Sequence, residues 1–490
     1  MYSVDSIVVL CSIAGILSLV YAYPKLTIWL KLPNNNFYRT LFNLSKFKLG
    51  FYPYWSFYWI CFIVVYLIIM LLVVLKNVSS WKDDFDYPTF GYMAICHFGF
   101  APLLSLKRSP LTLLGFSGDK MLQLHIFLAS FGIIFAFIHA GLYVKIYLEA
   151  ATPDFPFLEI LGINQRNWVG VYTVFILILV FISSSFPVRR LSFQFFKFVH
   201  VLAYPVIVYL IYLHAKESAI YLWPALFLFL LDYVIRIVNS LKPLESHVDV
   251  VGNQFLKLSV TSDLANKVRP GQWFLVYHNF KYHPFSVTKS HDGVIGFGIK
   301  KGKFSNIVEK RIGSMDADPD MEMNLISSNG SSSLTYESNF IRLDGPYGVE
   351  FTGIFSMKNI CLIAGGIGIT PIMGIISSAP EDVNIQLHWT VKEEAMILGF
   401  EKELLEAKQK GLTVNCYITK EKSETKVESF TLQHGRPNLQ DILSKFKADH
   451  EGHLGIAVCG PDSLTNNVIQ LSKTLSDERG FCFVFSETFI

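Results

Sequence analysis

Up to about residue 240 the chain is a succession of apolar stretches, each near the roughly 20 residues needed to cross a bilayer. They fall at 5–22, 55–75, 88–106, 122–148, 168–185, 196–215 and 218–238. After Lys242 the rhythm changes. Residues 246–352 read as short strands at 248–252, 255–260, 273–278, 285–288, 294–300 and 340–343, separated by glycine and proline turns, which predicts a small antiparallel barrel. Between Ser314 and Ser333 the sequence turns acidic and then rich in Asn, Gly and Ser, as expected of a mobile insertion in one barrel loop. From Met357 onward, strand-like runs at Asn359–Ala364, Ile385–Thr390, Thr413–Thr419 and Gly455–Cys459 alternate with helical stretches such as 398–410 and 463–476. That alternation predicts a parallel α/β domain. The chain thus divides into 1–87, with the first spans and a loop, then 88–240, 246–352 and 357–490.

Composition sharpens this division. Only 17% of residues are charged and 15% are aromatic, and the mean hydropathy is +0.39, too apolar for a soluble protein. A net charge of +3 without a basic, aromatic-interleaved patch gives no sign of nucleic-acid binding. The seven cysteines form no CxxC pair and no zinc spacing. The segments 23–54, 107–121 and 186–197 hold eleven Lys and Arg against one acid, Asp119, whereas the alternate segments are more acidic. The positive-inside rule puts the first set in the cytosol, with the N-terminus outside and the C-terminal half cytosolic. Residues 1–22 are expected to be an uncleaved anchor, a cleaved signal peptide being the rival reading. The plasma membrane is the expected location, with the endoplasmic reticulum as the alternative. Asn77-Val-Ser79 is a glycosylation acceptor in an expected outer loop.

Inside the apolar half, His125 and His139 are 14 positions apart, and so are His200 and His214. On a helix this is about 1400° of rotation and about 21 Å of rise, so each pair lies on nearly one face, one imidazole near each side of a bilayer. An ionisable residue in a span is costly and marks a functional site. Two such helices side by side make two cages at different depths, His125 with His200 on the cytosolic side and His139 with His214 on the outer side. That is the geometry of two bis-histidine haems of b type, which pass electrons without an open coordination site. His97 has no matched partner and is expected to be a hydrogen-bonded core residue.

In the last domain, Cys361-Leu-Ile-Ala-Gly-Gly-Ile-Gly-Ile-Thr-Pro371 runs from a buried strand through glycines to a helix starting near Pro371. Gly365, Gly366 and Gly368 would let backbone approach a pyrophosphate, and the helix N-terminus at Thr370 and Pro371 offers free amides. Cys459-Gly460-Pro461 follows another strand and should reach the same carboxyl edge, so nucleotide binding is expected.

Together these motifs resemble the ferric reductase and NADPH oxidase superfamily of membrane flavocytochromes, and among them short fungal metalloreductase-like members. The resemblance covers roughly 90–490. It implies a multi-pass α-helical membrane domain followed by a cytosolic ferredoxin-reductase-like module, an antiparallel β-barrel FAD domain plus a parallel α/β NADPH domain. Arg108-Ser-Pro-Leu with the histidine pairs is similar to the family's transmembrane domain. His283, Pro284, Phe285 and Ser286 resemble its flavin motif, and Lys300, Gly302 and Ser305 the turn that holds the FAD pyrophosphate. Asp344-Gly-Pro-Tyr-Gly348, the glycine loop and Cys459-Gly-Pro461 are similar to its NADPH-domain elements, with Cys459 beside the hydride-transfer site. Phe489 resembles the terminal aromatic that covers the flavin, although Ile490 follows it. Two positions depart from the family. Ile126 and Phe127 stand where an arginine is common, and Lys392 replaces the arginine expected for the 2′-phosphate. Lysine binds phosphate as a point charge without bidentate geometry.

The implied activity is transmembrane electron transfer from NADPH through FAD and two haems. Ferric or cupric ions or their chelates are the first acceptor reading and oxygen, reduced to superoxide, the second. A polytopic transporter or channel, and a flavin reductase tethered to a degenerate anchor, are rivals of other kinds. Protein partners are not legible.

Overall fold

The computed structural model describes residues 64–72, 75, 88–109, 118–251, 255–278, 281–302, 304–306, 308, 324–328, 331–348, 350–420, 430, 432–476, 480 and 482–487. It divides into two compact units, with the division between Ile235 and Arg236.

In the first unit the helices are α1 (Pro88–Ser105), α2 (Gly118–Ala150), α3 (Phe157–Ile163), α4 (Gln165–Ser183), α5 (Phe186–Leu191) and α6 (Phe193–His214). A further helix, α7 (Trp223–Asn239), runs across the division. Among the described residues three helices are long and apolar enough to cross a membrane: Met121–Ala150, Gln165–Ser183 and Phe193–His214, with mean hydropathies of 2.1, 1.7 and 1.8. Of the other expected spans, 5–22 lies outside the described residues, and 55–75 is described only at 64–72 and 75, as helix. Those at 88–106 and 218–238 are helices of 18 and 17 residues.

Two of the long helices begin at side-chain caps. Asn164 accepts a hydrogen bond from the Arg166 amide, and Ser192 accepts one from Phe195, satisfying donors that lipid could not. Close packing of α1 on α2 depends on Gly132, where a Cβ would sit 2.9 Å from both His97 Cβ and the Phe98 ring. Met93, Phe98, Leu128, Val208 and Leu222 form the interior, while Phe175, Phe181, Phe198 and Leu148 face outward. Apolar side chains on both sides are what helices in a hydrocarbon solvent require.

The second unit contains two sheets. The first comprises β1 (Leu244–Val251), β2 (Phe255–Thr261), β3 (Trp273–His278), β4 (Lys281–His291), β5 (Val294–Lys300), β6 (Asn324–Ser328) and β7 (Ser331–Tyr347). Its order is β1-β2-β5-β4-β3-β7-β6, and β1 also pairs with β7, which closes an antiparallel barrel with β6 appended. Its interior is filled by Leu256, Phe274, Ile295, Phe297 and Ile341. Part of the expected loop insertion at 314–333 is therefore strand: Ser328 and Ser331 face each other across a β6–β7 hairpin. Polar composition predicted a loop there, yet a strand paired on one edge needs no apolar face to satisfy its backbone.

The second sheet is entirely parallel, in the order β11-β10-β9-β8-β12-β13. Its strands are β8 (Asn359–Gly365), β9 (Asn384–Val391), β10 (Thr413–Ile418), β11 (Leu432–His434), β12 (Leu454–Cys459) and β13 (Cys482–Glu487). Helices α8 (Ile369–Ser377), α9 (Ala395–Leu398), α10 (Glu401–Gln409), α11 (Leu439–Asp449) and α12 (Asp462–Leu475) connect them. β8 has β9 on one side and β12 on the other, so the direction of winding reverses between β8 and β12. Ligands of open α/β sheets bind at such a reversal, beyond the carboxyl ends of the strands.

The two sheets are joined by α8. A Cβ on Gly374 would meet the Val287 carbonyl oxygen of β4 at 2.6 Å, and one on Gly298 of β5 would meet Thr370 Cγ2 at 2.7 Å. Lys257 of β2 binds Glu403 of α10 at 2.7 and 2.9 Å, and Phe255 packs on Phe400. The Asp344–Gly348 segment ends β7 of the barrel and is not part of the parallel sheet, a correction to its placement among NADPH-domain elements. Asp344, 1% exposed, accepts hydrogen bonds from Asn239 and Tyr347. Its role there is to satisfy buried donors at the end of the barrel.

Candidate cofactor and nucleotide sites

Helices α2 and α6 bring the four histidines together two by two. The rings of His125 and His200 have centroids 5.8 Å apart at an interplanar angle of 70°. Those of His139 and His214 are 6.3 Å apart at 88°. Two imidazoles bound from opposite sides to one metal, each at roughly 2 Å, have centroids roughly 6 Å apart. Two protein ligands per centre suit an iron that brings its own four equatorial nitrogens, so the residues present fit two haems.

Neighbouring groups orient the rings. His125 Nδ1 lies 2.8 Å from the Ala101 carbonyl oxygen, and His214 Nδ1 lies 2.7 Å from that of Arg166. A carbonyl can only accept, so Nδ1 carries the proton in both and Nε2 keeps its lone pair for a metal. His200 Nδ1 sits 3.2 Å from the Ser184 hydroxyl. Around His139 and His214 lies a cavity of about 620 Å³ whose lining includes Gly91, Tyr143, Tyr147 and Gly170. A Cβ on Gly91 would meet the His139 ring at 3.1 Å, and one on Gly170 would meet the His214 ring at 3.0 Å. These glycines and Ser184 escaped sequence reasoning because their neighbours lie 16 to 48 positions away. His97 is accounted for otherwise, as expected: Nδ1 donates to Met93 O at 2.6 Å, and Tyr66 occupies Nε2.

In the barrel, His283, Pro284, Phe285 and Ser286 lie on β4, paired with β3 from Val276 to Trp273. Ser286 is buried, whereas His283 and Pro284 are exposed. Phe304 closes over this strand, its ring 5.1 Å from His283 and 5.4 Å from Phe285. Partial burial lowers the His283 imidazole below its ordinary range. Lys300 ends β5 exposed. Ser305 is fully buried: its hydroxyl accepts from the Gly302 amide at 2.7 Å and donates to the Gly302 carbonyl at 2.9 Å. The hydroxyl braces the turn, leaving nearby backbone and lysines as the groups a pyrophosphate could meet.

At the winding reversal, Ala364 is in register with Cys459, which sets the two loops that follow side by side. A Cβ on Gly365 would meet Leu464 and Pro461 at 2.9 Å, and one on Gly460 would approach Gly365 at 3.1 Å. Gly368 abuts the Cys459 carbonyl, and Cys459 is itself 1% exposed. Gly366 adopts φ +56°, a left-handed conformation that favours glycine. The Trp389 indole donates to the Gly366 carbonyl at 3.0 Å and holds this loop, a function the sequence reading did not assign to it. Thr370 and Pro371 are buried in the first turn of α8, and Lys392 is exposed just beyond β9. Phe489 lies outside the described residues.

His388, 4% exposed on β9, lies 3.0 Å from the Tyr417 hydroxyl. Burial pushes its imidazole from 6.5 down to about 4. The unfolded chain therefore takes up a proton that the folded chain refuses, and stability falls as pH drops from about 6.5 towards 4. The expected loss is about 2 kcal/mol by about pH 5. Melting curves should decline less steeply on acidification in His388→Gln than in the wild type, and parallel declines would refute the assignment.

A helical domain with two histidine pairs, continued by a flavin-type barrel and a nucleotide-type parallel sheet, defines a membrane protein of the electron-transferring reductase class. Family models described as "Ferric reductase like transmembrane component" and "Ferric reductase NAD binding domain" match residues 90–211 and 357–434. Ferric reductase transmembrane component 1 of Schizosaccharomyces pombe is 22% identical over 82% of this chain and 79% of its own. Ferric/cupric reductase transmembrane component 2 of the same yeast is 22% identical over 77% and 76%. A superoxide-generating NADPH oxidase heavy chain of Dictyostelium discoideum is 24% identical over 69% of this chain. The chain spans about half, 55%, of that oxidase's length. Both family models that match are of the ferric reductase type, and the relatives this chain resembles are ferric reductases and NADPH oxidases.

Proposed function

We propose that this protein is an NADPH-dependent oxidoreductase that carries electrons across a membrane, from cytosolic NADPH through FAD and two b-type haems to ferric or cupric ions on the far side. The observation that carries this reading is the meeting of His125 with His200 and of His139 with His214, at separations suited to one iron each. When bound, FAD converts a two-electron donor into single-electron steps, and haems relay single electrons.

The chain's own residues bind, orient and exclude water. The loops Gly365–Gly368 and Cys459–Pro461 receive the dinucleotide, with the first amides of α8 facing its phosphates. Lys392 meets the 2′-phosphate as a point charge. Phe285 and Ser286 on β4 hold the flavin ring, and Lys300 with the Gly302 turn holds its pyrophosphate. Because α8 packs against β4, the nucleotide loop and the flavin strand are fixed to each other. Cys459 would lie beside the reacting nicotinamide, and Phe489 is the residue that the family resemblance assigns to the flavin face. Ala101 O and Arg166 O fix the tautomers of His125 and His214. The basic loops set His125 and His200 on the cytosolic side.

Reduction of metal is the first reading because the yeast metalloreductases align over most of both chains. Reduction of oxygen to superoxide is the second, supported by the Dictyostelium oxidase. Ferric-chelate reduction by purified, FAD-loaded protein with NADPH, run with and without oxygen, separates them. An unchanged rate without oxygen is expected; a rate that collapses would make superoxide the carrier and the protein an oxidase.

A further inference from the structure

In a doubly wound sheet, the carboxyl end of the strand next to the glycine-loop strand meets the adenosine ribose. An acidic residue there accepts a hydrogen bond from a 2′-hydroxyl and repels a 2′-phosphate. In this protein that strand is β9, and the residues just beyond it are Lys392 and Glu393. The sequence at this edge is therefore ambiguous, one residue suited to NADPH and the next to NADH.

The neighbouring strand resolves the ambiguity. β9 and β10 are parallel, with Val391 in register with Ile418. The ladder continues past both strand ends, where the Thr419 amide donates to Val391 O at 2.9 Å and the Lys420 amide to Lys392 O at 3.2 Å. Register thus carries Lys420 to the side of Glu393, and its Nζ lies 2.7 Å from Glu393 Oε1. The Lys420 side chain is 66% exposed and that of Glu393 31%. A pair this exposed contributes little to stability, but it changes the charge a ligand meets. With Lys420 in place the Glu393 carboxylate is already paired and opposes a ligand phosphate less; without it, Glu393 adds to Glu394 against the single charge of Lys392.

We propose that Lys420 is a specificity-determining residue, which occupies the Glu393 carboxylate and so makes the edge beyond β9 and β10 receptive to a 2′-phosphorylated dinucleotide in preference to one with a free 2′-hydroxyl. This rests on the reading of a nicotinamide dinucleotide as the electron donor. The 2′ position of the adenosine ribose is remote from the nicotinamide ring in the dinucleotide itself, so the effect belongs in ground-state binding, in KM and not in kcat.

The test uses the full-length, flavin-loaded protein and a soluble dye as acceptor, with NADPH and NADH as donors. Lys420→Ala is expected to lower the ratio of kcat/KM for NADPH to that for NADH roughly tenfold, through KM. In Lys420→Ala/Glu393→Gln the competing carboxylate is gone, and most of the ratio should return. Competition by 2′,5′-ADP, set against 5′-ADP, should weaken in Lys420→Ala and recover in the double variant. A Lys420→Ala ratio within twofold of the wild type, or a double variant no better than the single, overturns the proposal while leaving the donor reading intact. A wild-type protein that oxidises neither nucleotide overturns both.

Discussion

Replacing His214 with alanine is expected to stop reduction of an acceptor on the far side of the membrane, by roughly a hundredfold or more. NADPH-driven reduction of a soluble dye, which takes electrons at the flavin, should stay within about twofold of the wild type. The ring of His214 lies opposite that of His139, and its Nδ1 proton is held by Arg166 O. Among the described residues of the helical unit the other imidazoles are already engaged, His125 with His200 and His97 with Met93 O and Tyr66. The variant should therefore keep the absorbance of one haem and lose that of the other, so its haem-to-flavin ratio falls by about half. That spectrum separates a broken relay from a misfolded protein, which would lose both haems. If reduction on both sides survives, the haem path is wrong, and the histidines line something else.

The second large effect is expected at Gly368. A Cβ there would lie 2.2 Å from the Cys459 carbonyl oxygen and 2.6 Å from its carbon. Both are backbone atoms fixed by the pairing of β8 with β12, so neither can swing aside. Gly368→Ala must push apart the two loops that form the nucleotide edge. The expected cost is about 1–3 kcal/mol of stability, with NADPH-driven bleaching of the flavin slowed roughly a hundredfold. Flavin and haem contents should be unchanged, because the groups assigned to hold them, β4 with the Lys300–Gly302 turn and the four histidines, lie outside these loops. Gly366→Ala is the control. Its left-handed φ of +56° carries a strain of about 1–2 kcal/mol, but a Cβ there meets nothing within 4 Å. Stopped-flow traces should rank Gly368→Ala well below Gly366→Ala. Equal rates, or a Gly368→Ala rate within threefold of the wild type, would mean that nucleotide does not depend on the closeness of these two loops.

Much of the architecture was legible because it depends on periodicity. Long apolar runs could only be helices once their backbone had to satisfy itself in lipid, and β8, β9, β10 and β12 were read within a residue or so of their observed ends. The short or edge strands β6, β11 and β13 were not. Polar or mixed strands at a sheet's edge take their stability from a partner far along the chain, and no local pattern announces it.

The same division runs through the sites. Sequence by itself determined the interval of 14 between histidines on two apolar helices, and hence two levels with one ring from each helix at each level. It also determined the glycines after β8, since a strand that must turn at once into a helix beside another loop has little room for side chains. Only the tertiary structure decided what surrounds those residues. The carbonyls of Ala101 and Arg166 that fix two imidazole tautomers, the glycines at 91 and 170 that admit the outer rings, and the indole of Trp389 on Gly366 O all come from other elements. Lys420 reaches Glu393 for the same reason, through the register of two parallel strands 27 positions apart at that point. Periodicity is a property of neighbours in sequence, and it suffices to say which face a residue occupies. A hydrogen-bond partner or a steric limit depends on which face comes to lie opposite, and packing alone sets that.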